Sequence, residues 1–379
     1  GAHWFEAIKG PGAPAGRAQD MRPLARIGGG DLPTVTIDPK DPKAATKVVW
    51  NFFYAVYFAG NFHTTSPVNW ISRTQGIERR IADDVHFKYY DGQPPEYQAL
   101  IASNPLNLLS RTIGLVTEPA DLYGTVSLNW RYRDGEKKDS DWAYVPALRR
   151  VRATNPANRA DGLLGSDISE DDGPYFDAKP EDFDFKLVGE GTILGHFDGP
   201  GLDSDGSNIH KIQPGQKISD LVTIKTPAWQ VISPRLRAIW ADADGWKDDP
   251  KKLVAWAPIQ AALVPRPVWI VEATPKNPYY IYGKQVMYFD KDNFRGYWKS
   301  KYDWKGGVLM NYQVPESLIW KIDGPPGYMR LSNAGGVAIV NNFKADRATV
   351  SGLPVADTDN WIDIPDTIYE TERIVRYGK

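Results

Sequence analysis

The chain is 379 residues long with a formal net charge of −2, so it can bury a large core and carries no global field that would gather nucleic acid. It contains no cysteine, which removes disulfides, thiol catalysis and thiolate metal centres. Its 14 Trp and 19 Tyr are a heavy aromatic load, suited to a β core or to the lining of an apolar ligand site.

Residues 1–40 read as an extended N-terminal arm, rich in glycine and proline from Gly10 to Pro39. No charged-then-apolar leader is visible in it. The expectation is therefore either a cytosolic protein or one whose signal has been removed. A helix start follows, with Asp41 as N-cap and Pro42 at the first position. The helix runs from Lys43 to Phe58, and Gly60 is a plausible stop. After its first turn it is apolar nearly all round, which suits a core helix packed on a sheet or a mobile lid over a ligand. The apolar run from Val48 to Gly60 is too short to span a bilayer. Pro67 to Glu78 reads as irregular, Val85 to Tyr90 as a strand, and Pro95 to Arg111 as helical stretches interrupted at Asn104-Pro105.

The clearest pattern lies between 125 and 191. Val126, Leu128, Trp130 and Tyr132 alternate with polar neighbours, a period of two that gives a strand one buried face. Trp142 to Val145, Leu148 to Arg152 and Asp182 to Gly189 continue as short strands separated by polar turns. Gly195 to Pro214 reads as a loop. Strand character returns at Pro267–Thr274, Tyr279–Asp290, Gly307–Tyr312 and Gly336–Asn341. Short turns between successive strands argue for antiparallel pairing. The expected fold is mainly β (α+β), a large curved antiparallel sheet or incomplete β-barrel with covering helices. It would form one domain over 41–350, followed by a polar C-terminal surface tail at 351–379.

Catalytic motifs are scarce. There is no Gly-x-Ser-x-Gly elbow, His-Glu-x-x-His, P-loop or dinucleotide glycine fingerprint, and the five histidines are scattered singly along the chain. The acidic run Asp167 to Gly173 opens like a calcium loop but has Asp172 where glycine is required. Arg149, Arg150 and Arg152 suit either an anionic head group or a structural ion network with Asp167, Asp171 and Asp172, and the network is the reading adopted. Glu272, in an apolar strand, suits an edge position or a paired core charge. No catalytic residue, cofactor or metal is expected.

The succession Trp142-Ala143-Tyr144-Val145-Pro146-Ala147-Leu148-Arg149-Arg150-Val151-Arg152, Gly165-Ser166-Asp167 and Phe185-Lys186-Leu187-Val188-Gly189 resembles a family of secreted proteobacterial proteins described as outer-membrane lipoprotein-sorting-like. Arg266-Pro267-Val268-Trp269-Ile270-Val271-Glu272-Ala273-Thr274 and Tyr288-Phe289-Asp290-Lys291-Asp292 agree, and the likeness covers roughly 45 to 315. Ala153 departs from it, where arginine is expected. The resemblance implies a periplasmic protein shaped like the carriers of the Lol pathway, an incomplete antiparallel barrel whose concave apolar face is covered by helices. It also implies service to transporters of the resistance-nodulation-division type.

The functional expectation is a non-enzymatic carrier or chaperone that holds a lipid-like ligand in the hollow of the sheet. Trp50, Phe53 and Tyr57 from the helix and Trp130, Tyr132, Trp142, Tyr144, Trp269, Met287 and Phe289 from the strands are the candidate lining. The alternatives are an adaptor that binds a transporter or outer-membrane protein without a ligand, and a lipid or glycan hydrolase.

Overall fold

A computed structural model of the chain describes residues 36–57, 61–72, 76–90, 104–173, 175–197, 211–212, 262–291, 294–313, 319–323, 329–333, 338–351, 357–360 and 363–378. The N-terminal arm up to residue 35 and most of the segment from 198 to 261 lie outside these described residues.

Among the described residues one helix precedes the strands: α1 (Ala44–Tyr57). Asp41 starts it, its Oδ1 accepting from Lys43 N at 2.8 Å and its carbonyl from Ala44 N at 2.9 Å. The strands of the first half are β1 (Phe62–Ser72), β2 (Gly76–Tyr89), β3 (Leu108–Glu118), β4 (Val126–Tyr132), β5 (Ser140–Val145), β6 (Arg150–Thr154) and β7 (Phe183–Phe197). After the short β8 (Lys211–Ile212) come β9 (Ala262–Pro275), β10 (Lys284–Asp290), β11 (Gly296–Tyr302) and β12 (Val308–Gln313). The series ends with β13 (Ile319–Asp323), β14 (Met329–Asn333), β15 (Ala338–Asn342), β16 (Arg347–Ser351) and β17 (Asp357–Asn360), before a last helical turn, α2 (Ile374–Tyr377).

Fourteen of these strands form one sheet in the order β6-β5-β4-β3-β2-β1-β16-β15-β12-β11-β10-β9-β7, with β17 paired to β1. Every pairing in it is antiparallel, and β6 and β7 end it without meeting. The fold is therefore the open antiparallel sheet expected. β8, β13 and β14 form a separate small sheet.

Residues 62–72 and 76–89 make two long paired strands where an irregular stretch was expected from Pro67 to Glu78. Pro67 is tolerated because β17 pairs with residues 62–65 of β1 and β16 with residues 68–72, leaving Pro67 in the gap where no ladder donor is needed. The helical expectation up to Arg111 is likewise replaced by strand from Leu108, which Asn104 starts by bonding both the N–H and the C=O of Leu108 at 2.8 Å.

Following the register across the ladder separates the two faces. Gln285, Met287 and Phe289 of β10 stand opposite Ala273, Val271 and Trp269 of β9, and all of them point toward α1. The inner face continues through Lys299 and Lys301 of β11, Tyr312 of β12, Val340 of β15 and Thr349 of β16. It reaches Phe62 of β1 and Phe87 and Tyr89 of β2. Trp142 and Tyr144 of β5, with Leu128 and Val126 of β4 opposite them, lie on the outer face.

The C-terminal segment covers that outer face. Its Ile364, Tyr369 and Ile374 are buried against Ile113, Val126, Leu128 and Tyr144, so these residues complete a second core where a polar surface tail was expected.

Candidate functional site

The inner face is the natural place to look for a site, because α1 and the loop from 155 to 182 lie across it. Val48, Val49, Phe52 and Phe53 of α1 are buried. Phe52 meets Phe289 at a ring separation of 5.5 Å and Tyr175 at 5.6 Å, while Phe53 meets Phe176 at 6.1 Å. Burying such side chains contributes about 1.5–3 kcal/mol each. The space directly beneath the helix is thus filled by interlocked rings.

The loop is held down by charge. Arg131, on the inner face, makes a two-pronged contact with Asp139 (3.0 and 2.8 Å) and a further bond to Asp177 at 3.1 Å. Arg159 bonds Asp171 at 3.1 Å and Asp177 at 2.6 Å. Asp172 receives Lys299 at 2.7 Å on one oxygen and Lys301 at 2.6 Å on the other. It also accepts the Ser169 hydroxyl at 2.8 Å within a capping box. Asp167 accepts from Arg347, Asn342 and Thr349.

These groups shift one another's protonation. Burial alone would raise the Asp172 carboxyl, but Lys299 and Lys301 hold it well below the usual carboxylate range. Burial pushes Lys299 down to about 8 despite Asp172, with Lys301 beside it adding to the effect. Asp139 is held low against its burial by Arg131 and Arg159, whereas burial wins at Asp141 and raises it.

Asp167, Asp171 and Asp172 thus pair with cations other than the three arginines named from the sequence. Arg149, Arg150 and Arg152 are exposed, and among the described residues none of them pairs with Asp167, Asp171 or Asp172. The chain turns at Pro146–Leu148, Arg149 takes a left-handed conformation (φ 49°), and Arg150 and Arg152 lie on β6, the last strand at that end of the described sheet. Asp171 pairs with Arg159 inside the loop, whereas the partners of Asp172 and Asp167 (Lys299, Lys301 and Arg347) sit far away in sequence, on strands brought opposite the loop only by folding. Glu272 pairs with Lys284 at 3.1 Å on the neighbouring strand.

The ten candidate lining residues divide between the faces. Trp50, Phe53, Tyr57, Trp269, Met287 and Phe289 gather on the inner side with α1. Trp130, Trp142 and Tyr144 belong to the outer core, with Trp130 and Trp142 edge to face at 4.8 Å and Trp130 Nε1 donating to the Tyr369 carbonyl at 3.0 Å. Tyr132 joins Tyr90, Leu108 and Trp130. The ten residues do not line one hollow. Alternation along a strand shows which residues share a face, but not which side of the sheet that face becomes.

Two features of the inner face escaped sequence reasoning. A chain of aromatic rings runs from Trp50 through Tyr54, Tyr57 and Tyr89 to Phe62 and Phe87. Phe62 and Phe87 stack at 4.4 Å as cross-strand partners. Trp50, Tyr54, Phe62 and Phe87 are half-buried, with Val85 beside them on the same face. The second feature is a cavity of about 330 Å³ beside the ion network, lined by Asp139, Arg159, Asp171, Lys179, Phe183 and Tyr280 among others. Its carboxylates Asp139 and Asp171 are each engaged by a guanidinium, and Tyr280 donates to Asp171 at 2.7 Å.

Residues 32–240 and 258–368 match the profile of a family described as "Protein of unknown function (DUF1329)". A solved structure from Vibrio parahaemolyticus, described as a "putative outer membrane lipoprotein-sorting protein domain", is similar over 89% of this chain and 100% of its own, with 14% identity and a TM-score of 0.54. A DUF1329 family protein from Desulfovibrio piger is similar over 86% of this chain and 98% of its own, with 16% identity and a TM-score of 0.51. A LolA superfamily protein from Nitrosomonas europaea is also similar, at 14% identity over 86% of this chain and 98% of its own, with a TM-score of 0.46. No curated protein matches this chain. No described helix is long and apolar enough to cross a membrane.

Proposed function

This chain belongs to the DUF1329 family, and from that premise we propose that it is a non-enzymatic periplasmic carrier or chaperone for a lipid-like ligand. The observation that carries the reading is the half-buried aromatic run of Trp50, Tyr54, Phe62 and Phe87 on the inner face. Because the rings beneath α1 are already packed, the ligand lies against this run rather than under the middle of the helix. Flat aromatic surface suits acyl chains, whose affinity grows by about 25 cal/mol per Å² of apolar area removed from water, less the cost of association. The ion network fixes the loop beside it, so the surface is preorganised.

Binding of the fluorescent apolar probe N-phenyl-1-naphthylamine, displaced by phospholipid, tests this. Phe87→Asp and Phe62→Asp should each weaken uptake at least tenfold, about 1.4 kcal/mol, with the far-UV spectrum unchanged. Uptake that is absent in the parent, or unchanged from the parent in both variants, removes the proposal.

A second reading, an adaptor for a transporter or outer-membrane protein, draws on a separate surface. Tyr279 and Trp304, 93% and 51% exposed, stand on adjacent turns joined by the bond from Trp304 Nε1 to the Tyr280 carbonyl at 2.8 Å. Exposed aromatics of this kind are favoured at the centres of protein interfaces. Capture of a membrane partner that survives Phe87→Asp but is lost in Tyr279→Asp with Trp304→Asp would establish the adaptor role instead.

A further inference from the structure

The outer face holds a cluster that neither functional reading uses. His63 of β1 and His86 of β2 are direct cross-strand partners, and Asp84, two residues before His86, shares their face. The imidazoles stack at 4.3 Å. His63 Nε2 lies 3.2 Å from Asp84 Oδ1, and His86 Nδ1 lies 3.3 Å from the same oxygen. The Tyr377 hydroxyl, delivered by α2, stands 2.9 Å from His86 Nδ1 and 3.3 Å from Asp84 Oδ1. All three side chains from β1 and β2 are partly shielded, at 20% exposure for His63, 25% for Asp84 and 21% for His86.

We propose that His63, Asp84 and His86 bind one divalent transition-metal ion of the zinc class, with the Tyr377 hydroxyl at the fourth vertex. The donor atoms of the three lie within 4.8 Å of one another. Zinc bonded to nitrogen and oxygen at about 2.0–2.1 Å in a tetrahedron sets neighbouring donors about 3.3–3.4 Å apart. The distances of 3.2, 3.3 and 3.3 Å fall close to those edges, and 2.9 Å is only slightly short. Two imidazoles and a carboxylate are also the donor set that borderline divalent ions prefer over magnesium or calcium.

A divalent ion there would bind both stacked rings in their neutral form and compensate the Asp84 carboxylate at the same time. In the register, Asp359 of β17 is the backbone neighbour of His63, so the site stands where three strands and the C-terminal helix converge. Its role is to clasp α2 to the sheet.

Titration calorimetry of the full chain with zinc chloride should show one equivalent bound. His63→Asn combined with His86→Asn should weaken binding at least tenfold while the circular dichroism stays that of the parent. Asp84→Asn, which keeps shape and both histidines, should also weaken it. Hydrogen exchange of residues 374–378 should slow on adding zinc in the parent and not in the double variant. No binding in the parent, or binding unchanged in both variants, overturns the assignment. Unchanged exchange at 374–378 overturns the clasp.

Discussion

Asp172 and Lys301 meet at 2.6 Å with both side chains 1% exposed, and Lys299 occupies the other carboxylate oxygen. The loop from 155 to 182 is riveted to β11 at that point. Asp172→Ala would leave two buried ammonium groups without an anion. The expected loss is about 3–5 kcal/mol, read as a lowered urea midpoint. A midpoint within error of the parent would show that the loop is held by its rings alone.

Acid should loosen the same rivet. Asp172 and Asp139 both have carboxyls held below their ordinary range, Asp172 by its two lysines and Asp139 by Arg131 and Arg159, in each case against burial. The unfolded chain takes up these protons first, near the ordinary carboxylate value of about 3.9. Their contribution is therefore complete above that value and is lost as pH falls through the lower folded values. Thermal midpoints should be level near neutrality and fall below about pH 4. Asp172→Asn should start lower and fall less steeply.

The outer core should be separable from ligand uptake. Tyr369 is fully buried against β4, and its carbonyl receives Trp130 Nε1. Tyr369→Ala should cost about 3–5 kcal/mol and release the C-terminal segment to protease, while uptake of the apolar probe per folded molecule stays unchanged. A selective loss of probe binding would place the ligand on the wrong side of the sheet.

Gly296 marks the closest approach of the loop to the strands. A Cβ there would stand 2.0 Å from the ring of Tyr175, whose hydroxyl donates to the Trp298 carbonyl and accepts from Tyr288 N at 3.0 Å. Gly296→Ala must displace that ring. It should destabilise by about 1–3 kcal/mol or more, and cost less than that when made in the Tyr175→Ala background. Simple additivity of the two changes would mean that the ring had already moved aside.

Local pattern carried much of the fold. α1, β4, β5, β9 and β10 were all legible, because each is set by a capping residue, an alternation or a turn within a few neighbours. What stayed hidden depends on register. Trp130 and Trp269 look alike in sequence, yet the pairing order of the sheet puts them on opposite faces. The partners of Asp172 and Asp167 were not legible, because Lys299, Lys301 and Arg347 reach them from more than 120 residues away. His63 and His86 look solitary for the same reason, being 23 residues apart in sequence and face to face only across the β1–β2 ladder.

The three arginines at β6 take on another meaning once they are freed from the network. β6 has β5 on one side and, among the described residues, no strand on the other, so its outer row of amide and carbonyl groups could template a neighbouring molecule. Like charges at Arg149, Arg150 and Arg152 make two such ends repel. Positive charge along this unfinished border disfavours its pairing with a second copy of itself.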